Sequence, residues 1–394
     1  MAVLRIPVNP EIIDWAISNG EKNESELLKK YALSNWKNPQ TDHNYPTFKQ
    51  IQNFSRDTRI PFNYFFKTEL PREKNEFVKF RTVNNQGVQP SRRLIDTIYD
   101  MEMRQAWMKD YLLDQNESTK FQFEHIFNDK MDPAAVSKDV IGILDLSDTL
   151  GIAMSDDDFF NILRTKISAL GILVMQNGVV GTNTRRPLDV DEFRALVLMD
   201  PVVPLIFINR RDSKKAKIFS LIHELMHAFL GNNEVLNVSP DLDLVNERWI
   251  NQVTINVLMP ADKVKKLQSD KYSPEDNLTH LSKKFHTSLV AAAIRTQSLR
   301  LFGNKLVDWA KQRQAEELRL KSEQKAPGGD FYNTAISRID RYYANAVINA
   351  ESSGDMAIAK AASMLGVTLK TYHKTVDKIL EMAGYYEKNR ASVS

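Results

Sequence analysis

Apolar positions recur at helical spacing over most of the chain and at strand spacing over one stretch only. Near the N-terminus, Ile12, Ile13, Trp15, Ala16 and Ile17 give an apolar face. Asn9 can cap that helix, and Pro10 suits its first position. A second helix and a short third are predicted over 24–36. Thr47 can cap a run over 48–59, with Phe48, Ile51, Phe54 and Ser55 at helical spacing and Pro61 as its stop. Phe62-Asn-Tyr-Phe-Phe reads as an aromatic anchor, and residues 67–90 as a connector. From Ser91 a helix is predicted that turns Leu94, Ile95, Ile98, Met101, Met103, Trp107, Tyr111 and Leu112 inward. Asp132-Pro133 opens further helices to about Leu170. Apolar runs at 171–175, 196–199 and 205–208 are predicted strands, the last two parted by Asp200-Pro201. Helices resume at Lys214, and residues 288–325 include a long, increasingly charged one. Lys325-Ala-Pro-Gly-Gly-Asp330 is the clearest linker, and 331–385 form a helical tail without solenoid repeats. The predicted fold class is α+β, mostly α-helical, with one small β-sheet flanked by helical N- and C-terminal domains.

A chain of 394 residues is too long for one ordinary core. The pattern divides it into 1–70, a helical connector 71–135, a central domain 136–325 and a C-terminal domain 326–394. Lys and Arg number 53 against 50 Asp and Glu, a net charge of +3. That balance is too mild to argue for nucleic acid by itself. The chain has no cysteine, which excludes disulfides, thiolate catalysis and cysteine-ligated zinc. Any transition-metal site must draw on Asp, Glu and the seven His. The N-terminus has no secretory pattern and no stretch is apolar enough to span a bilayer, so a cytoplasmic protein without a membrane partner is expected.

One segment carries metal chemistry: Ile222-His223-Glu224-Leu225-Met226-His227. Two His four apart on a helix project from the same face and can reach one ion. Glu224 follows the first His and can take a proton from a water whose pKa zinc lowers to roughly 7. Ile218, Phe219, Leu221, Ile222, Leu225, Met226, Ala228, Phe229 and Leu230 make this helix apolar nearly all round, so it is expected to be buried, with Gly231 as its C-cap. Polar groups inside such a helix must be paired or bind a metal. Downstream, Asn246-Glu247-Arg248-Trp249-Ile250-Asn251 leads to Val257-Leu-Met-Pro260, a second apolar helix stopped by proline. Glu247 can supply a third ligand, and Asn251, on the same face, can orient a ligand. Two His plus Glu with one open position is a hydrolytic zinc site, and this donor set favours zinc over manganese or iron.

These segments resemble the ImmA/IrrE metallopeptidase family. Gly178-Val-Val-Gly-Thr-Asn-Thr-Arg-Arg-Pro187, Asp191-Glu-Phe-Arg194 and Pro204-Leu-Ile-Phe-Ile-Asn209 strengthen the likeness, which covers roughly residues 150–310. It extends more loosely over 10–110 and 330–380. The resemblance implies a zincin-like core in which His223, His227 and Glu247 bind the metal and Glu224 is catalytic. It also implies a protein substrate, a DNA-binding repressor or other regulator, in a prophage, mobile-element or stress setting. The sequence departs from the family pattern at Ile250 and at Val253-Thr-Ile255, which are core changes that leave the ligands in place. The strand at 205–208 reads either as a core strand or as an edge along which substrate could lie. No oxyanion-stabilising residue is assigned; His280, His286, Arg185 and Arg186 are the candidates considered.

The flanks raise a second function class. Glu26-Leu-Leu, Trp36 and Pro46-Thr-Phe-Lys-Gln-Ile resemble an Xre-type helix-turn-helix module, but Lys29–Asn35 leave no room for a turn plus a reading helix. A degenerate module that binds protein is the favoured reading. Near the C-terminus, Ala362, Gly366 and Tyr372 have helix-turn-helix spacing, with Lys370, His373 and Lys374 expected to face outward; a plain helical hairpin fits equally. A weaker case, Leu278–Leu289, resembles the helical pair that follows the core in the family. The alternative to a peptidase is therefore a DNA-binding transcriptional regulator, or a toxin–antitoxin component, with a structural or sensory metal site.

Overall fold

The computed structural model describes residues 4–71, 73, 90–116, 120–231, 234–236, 245–303, 305–322 and 330–391. Most of the 67–90 connector and of the 325–330 linker lies outside those residues. Two compact units emerge, Met1–Tyr99 and Asp100–Ser394. In the first, helices α1 (Pro10–Ser18), α2 (Glu24–Lys30), α3 (Leu33–Lys37) and α4 (Phe48–Thr58) surround Ile12, Leu27, Trp36, Phe54 and Phe65. Asn9 caps α1 by accepting from the Glu11 N–H, and Thr47 and Gln50 form a reciprocal cap on α4. Lys29–Asn35 holds the end of α2 and the start of the five-residue α3, whose Leu33 and Trp36 are turned into the core. Phe48, placed on the inward face by periodicity, is 42% exposed because it occupies the first turn of α4.

Helix α5 (Arg92–Asp114) crosses from the first unit into the second. Beyond Asp100 its inward face differs from the predicted one. Met103 is exposed, while Arg104, Gln105 and Met108 are buried. The reason is hydrogen bonding. Gln105 donates to the carbonyls of Leu198 and Val203, and Arg104 donates to that of Met364. Buried backbone acceptors reward a polar side chain where an apolar one would leave them unsatisfied.

The second unit is built on α6 (Pro133–Ile143), α7 (Asp156–Ser168), β1 (Leu173–Asn177), β2 (Ala195–Leu198), β3 (Leu205–Asn209), α8 (Lys214–Leu230), β4 (Glu234–Leu236) and α9 (Val245–Leu258). The sheet order is β1-β3-β2-β4, with β1 parallel to β3 and the other pairs antiparallel. Helix α8 packs on β2, β3, α7 and α9 and carries the centre of the main core. Leu205–Ile208 is therefore an inner strand, buried at every position, and cannot accept an added strand. The short strand β4 has no apolar run to announce it. A second core lies under α10 (Ala261–Leu267), α11 (Pro274–Lys284), α12 (Leu289–Ser298) and α13 (Lys305–Ser322), around Leu278, Leu281 and Phe285. The charged helix expected within 288–325 is α13. It is separated from α12 by a turn in which Arg300 takes a left-handed φ of 56°.

The C-terminal helices α14 (Phe331–Ser337), α15 (Arg341–Ser352), α16 (Ile358–Met364) and α17 (Leu369–Ala391) pack around Tyr343 and Tyr372. Helix α16, the turn at Gly366 (φ 64°) and α17 contact one another and α15, so the segment is two helices joined by a tight turn within a bundle. Lys370, His373 and Lys374 are exposed, although Lys374 also rests over the Tyr332 ring of α14 at 4.8 Å. The residues that join α14 to α15 close the outer edge of β1. The N–H of Gln176 donates to the Arg338 carbonyl and that of Val174 to the Asp340 carboxylate. Arg164 then gathers the carbonyls of Val174, Ser337 and Ile339. Burial pushes its pKa down to about 10, against the opposing pull of Asp340. Among the described residues no helix is long and apolar enough to cross a membrane.

Candidate metal centre

Helix α8 begins at Ser213, whose side chain accepts from the Ala216 N–H, and ends at Gly231 in the left-handed conformation, φ 75°. Twelve of its residues are buried, including His223, Glu224 and His227. His223 and His227 stand one turn apart on the face that meets α9, and their Nε2 atoms lie 3.1 Å apart. Glu247, in the first turn of α9, completes the cluster. Its two oxygens lie 3.3 Å from His223 Nε2 and 3.3 Å from His227 Nε2. One ligand atom from each of the three residues lies within 4.8 Å of the others.

Asn251, one turn along α9 from Glu247, fixes the first imidazole. His223 Nδ1 donates to Asn251 Oδ1 at 3.2 Å, which leaves the lone pair on Nε2, inside the cluster. Burial holds the His223 pKa down and outweighs the raising influence of Glu247. For Glu247, burial works to raise the pKa, but the close approach of the His223 and His227 imidazoles outweighs it and holds the pKa down. A neutral imidazole lone pair, a second imidazole nitrogen and a carboxylate converge on one buried point. Such a donor set fits a divalent cation.

Glu224, wholly buried next to His223 in α8, is brought to the same region by the helix itself. Of the oxyanion candidates, His286 Nδ1 donates to Asp156 at 2.8 Å and stacks on Phe159, and His280 lies beside the Tyr272 ring. Arg185 is exposed and Arg186 buried. The structure also brings in a histidine that the sequence does not single out. Gly231 continues the 223–227 stripe, and the His125 imidazole occupies the space where a Cβ at 231 would lie. The flanking residues Phe123 and Phe127 pack on Phe229, and Trp249 Nε1 donates to the Met131 carbonyl. The one sequence signal for this contact is the glycine four residues after His227; its partner comes from far upstream.

The family model of the IrrE N-terminal-like domain, Peptidase_M78, matches residues 167–297. This stretch is similar to the IrrE N-terminal-like family. No curated protein and no solved structure matches the chain. The matched stretch runs from the end of α7 into α12 and contains all of His223, Glu224, His227, Glu247 and Asn251. Its Peptidase_M78 assignment supports a metallopeptidase type of function. His125 lies outside the matched residues.

Proposed function

We propose that the chain is a zinc-dependent metalloendopeptidase that cleaves a regulatory protein, a DNA-binding repressor being the class that the family resemblance implies. The observation that carries this reading is the convergence of His223 Nε2, His227 Nε2 and the Glu247 carboxylate in a buried site beside Glu224. His223, His227 and Glu247 hold the ion, and two imidazoles with one carboxylate favour zinc. When bound, zinc supplies Lewis acidity toward the attacking water and the scissile carbonyl. Glu224 accepts the proton of the attacking water and passes it to the leaving amine. Asn251 keeps the His223 lone pair aimed inward. Strand β4 is the edge on which a substrate backbone pairs, since β2 and β3 are inner strands and β1 is closed by residues 337–340. The N-terminal module docks protein, because five-residue α3 offers no helix for the major groove. The reaction takes place in the cytoplasm.

The test is cleavage without a presumed substrate. Purified metal-loaded protein is added to a host lysate, and new N-termini are read by mass spectrometry. The account expects sites that vanish in Glu224→Gln, a loss on the order of a hundredfold or more. Equal cleavage by Glu224→Gln would contradict it. A second reading, a DNA-binding regulator, is favoured by the α16–turn–α17 geometry with Lys370 and His373 exposed. It requires binding to the protein's own promoter DNA with a steep salt dependence; no binding at low salt removes it.

A further inference from the structure

Among the described residues of the first unit, one apolar face stands open. Phe48, in the first turn of α4, meets the Phe62 ring edge-to-face at 5.1 Å, and Phe62 meets Phe66 in the same way at 5.0 Å. Phe48 and Phe66 are exposed and Phe62 is half-buried. The antiparallel bridge of Arg5 with Thr47 brings Leu4, 68% exposed, to the same end of α4. The module core holds this ladder in place. Phe65, beside Phe66 in the chain, packs edge-to-face on buried Phe54, and Asn9 Nδ2 donates to the Thr68 carbonyl. A single exposed phenylalanine is ordinary, but rings in mutual contact beside an exposed leucine form a contiguous patch of the kind that binds another molecule.

The rim of this face is basic. Lys49 follows Phe48 and Lys67 follows Phe66, and both are exposed. Lys49 Nζ reaches the Gln52 amide oxygen at 3.5 Å, Lys67 Nζ lies over the Tyr64 ring at 4.7 Å, and Arg5 donates to the Tyr45 carbonyl. Among the described residues none of these three cations has a carboxylate partner. Between Asn44 and Pro71 the chain has two carboxylates, Asp57 and Glu69. Lys22, Lys30 and Tyr31 engage Asp57, which leaves Glu69 to set against the three. An apolar centre with a cationic rim is complementary to a segment that is apolar on one face and acidic at its borders.

The ladder spans at most roughly 10 Å, the rise of about seven residues of α-helix. Side chains at i, i+4 and i+7 of one helix would therefore lie along it. Edge-to-face packing covers part of the ring faces on which bases would stack, which favours protein over nucleic acid. Resting on the reading of the N-terminal module as one that docks protein, we propose that the face of Phe48, Phe62 and Phe66, rimmed by Arg5, Lys49 and Lys67, docks an acidic amphipathic helix of a partner protein.

The test uses the full chain carrying Glu224→Gln, so that no probe is consumed, and the fluorescence anisotropy of two synthetic helical peptides. Both carry the same Leu and Phe face; one is bordered by Glu and the other by Lys. The Glu-bordered peptide should bind about tenfold more tightly or better, and added salt should narrow the gap. Phe48→Ser and Phe66→Ser, both at exposed positions, should each weaken its binding on the order of tenfold at unchanged Tm. Lys49→Glu combined with Lys67→Glu should reverse the preference between the peptides, and serves if a Phe variant does not fold. Equal affinity for both peptides, binding of neither, Phe variants that bind like the parent chain, or tighter binding of a labelled single-stranded oligonucleotide would overturn the proposal. Cleavage plays no part in this readout. Peptide binding by a chain that cleaves nothing in the lysate would therefore fault the peptidase reading alone, and cleavage without peptide binding would fault the docking face alone.

Discussion

At the scale of single residues, neighbours set the state of each polar group. Asn251 accepts from His223 Nδ1, so Asn251→Ala frees the imidazole to rotate and to change tautomer. Metal affinity should fall on the order of 10- to 100-fold with the ligands intact, measured by competition with a chelator; unchanged affinity would show that Asn251 does not orient the ring. Asp156 illustrates a pH effect. The hydrogen bond from His286, ahead of the opposing effect of burial, lowers its pKa below the usual 3.8. A lowered folded pKa means stability that is present above pH 3.8 and lost as pH falls through the folded value. Asp156→Asn should therefore destabilise the protein by about 1–2 kcal/mol at neutral pH, with the gap closing in acid. A gap that is the same at pH 7 and in acid would refute that origin. The pairing of His223 and His227 on one face of α8 was legible in the sequence because helix geometry fixes residues four apart without help from the rest of the fold. Glu247 was legible because a second apolar helix follows with its own proline stop. His125 was not, because only tertiary packing brings it to Gly231.

At the scale of elements, caps and stops were the most readable features. Asn9, Thr47 and Gly231 act locally, and each ends or begins a helix where composition places it. Gly231→Ala should cost on the order of 1–2 kcal/mol for the left-handed backbone alone. The added Cβ would also meet the His125 ring, but that ring ends an exposed side chain that can swing away, so the loss of Tm should match that of a Gly→Ala change at another left-handed glycine. Gly171, whose Cβ would meet open space, is the control. A markedly larger loss at 231 would show instead that the His125 ring is held in place. Strand order was not readable. An apolar run at 205–208 is compatible with an edge or a centre, and only the pairing of β3 with both β1 and β2 decides for the centre. The inward face of α5 was misread at Met103 for a related reason. Periodicity weighs apolarity alone, whereas Arg104 and Gln105 are drawn inward by carbonyls presented from distant segments.

At the scale of the molecule, the C-terminal helices are bound into the sheet. Residues 337–340 supply acceptors to the β1 edge, and Arg164 joins both. A chain ending at residue 329 would leave the Val174 and Gln176 N–H groups and an apolar strand open to pairing with another molecule. It should self-associate, seen as a rising apparent mass with concentration in light scattering; a monodisperse truncated chain with the wild-type Tm would argue that the edge cap is dispensable. Such long-range closure carries no local signature, which is why the sequence separated a C-terminal domain without revealing what it covers.

The most direct test of the central claim is elemental analysis of protein purified without chelator, alongside His223→Ala and Glu247→Ala. The account predicts about one zinc per wild-type chain and loss of that zinc in both variants. A folded wild-type chain that holds no metal even after zinc is added back, or variants that keep the same content, would contradict it.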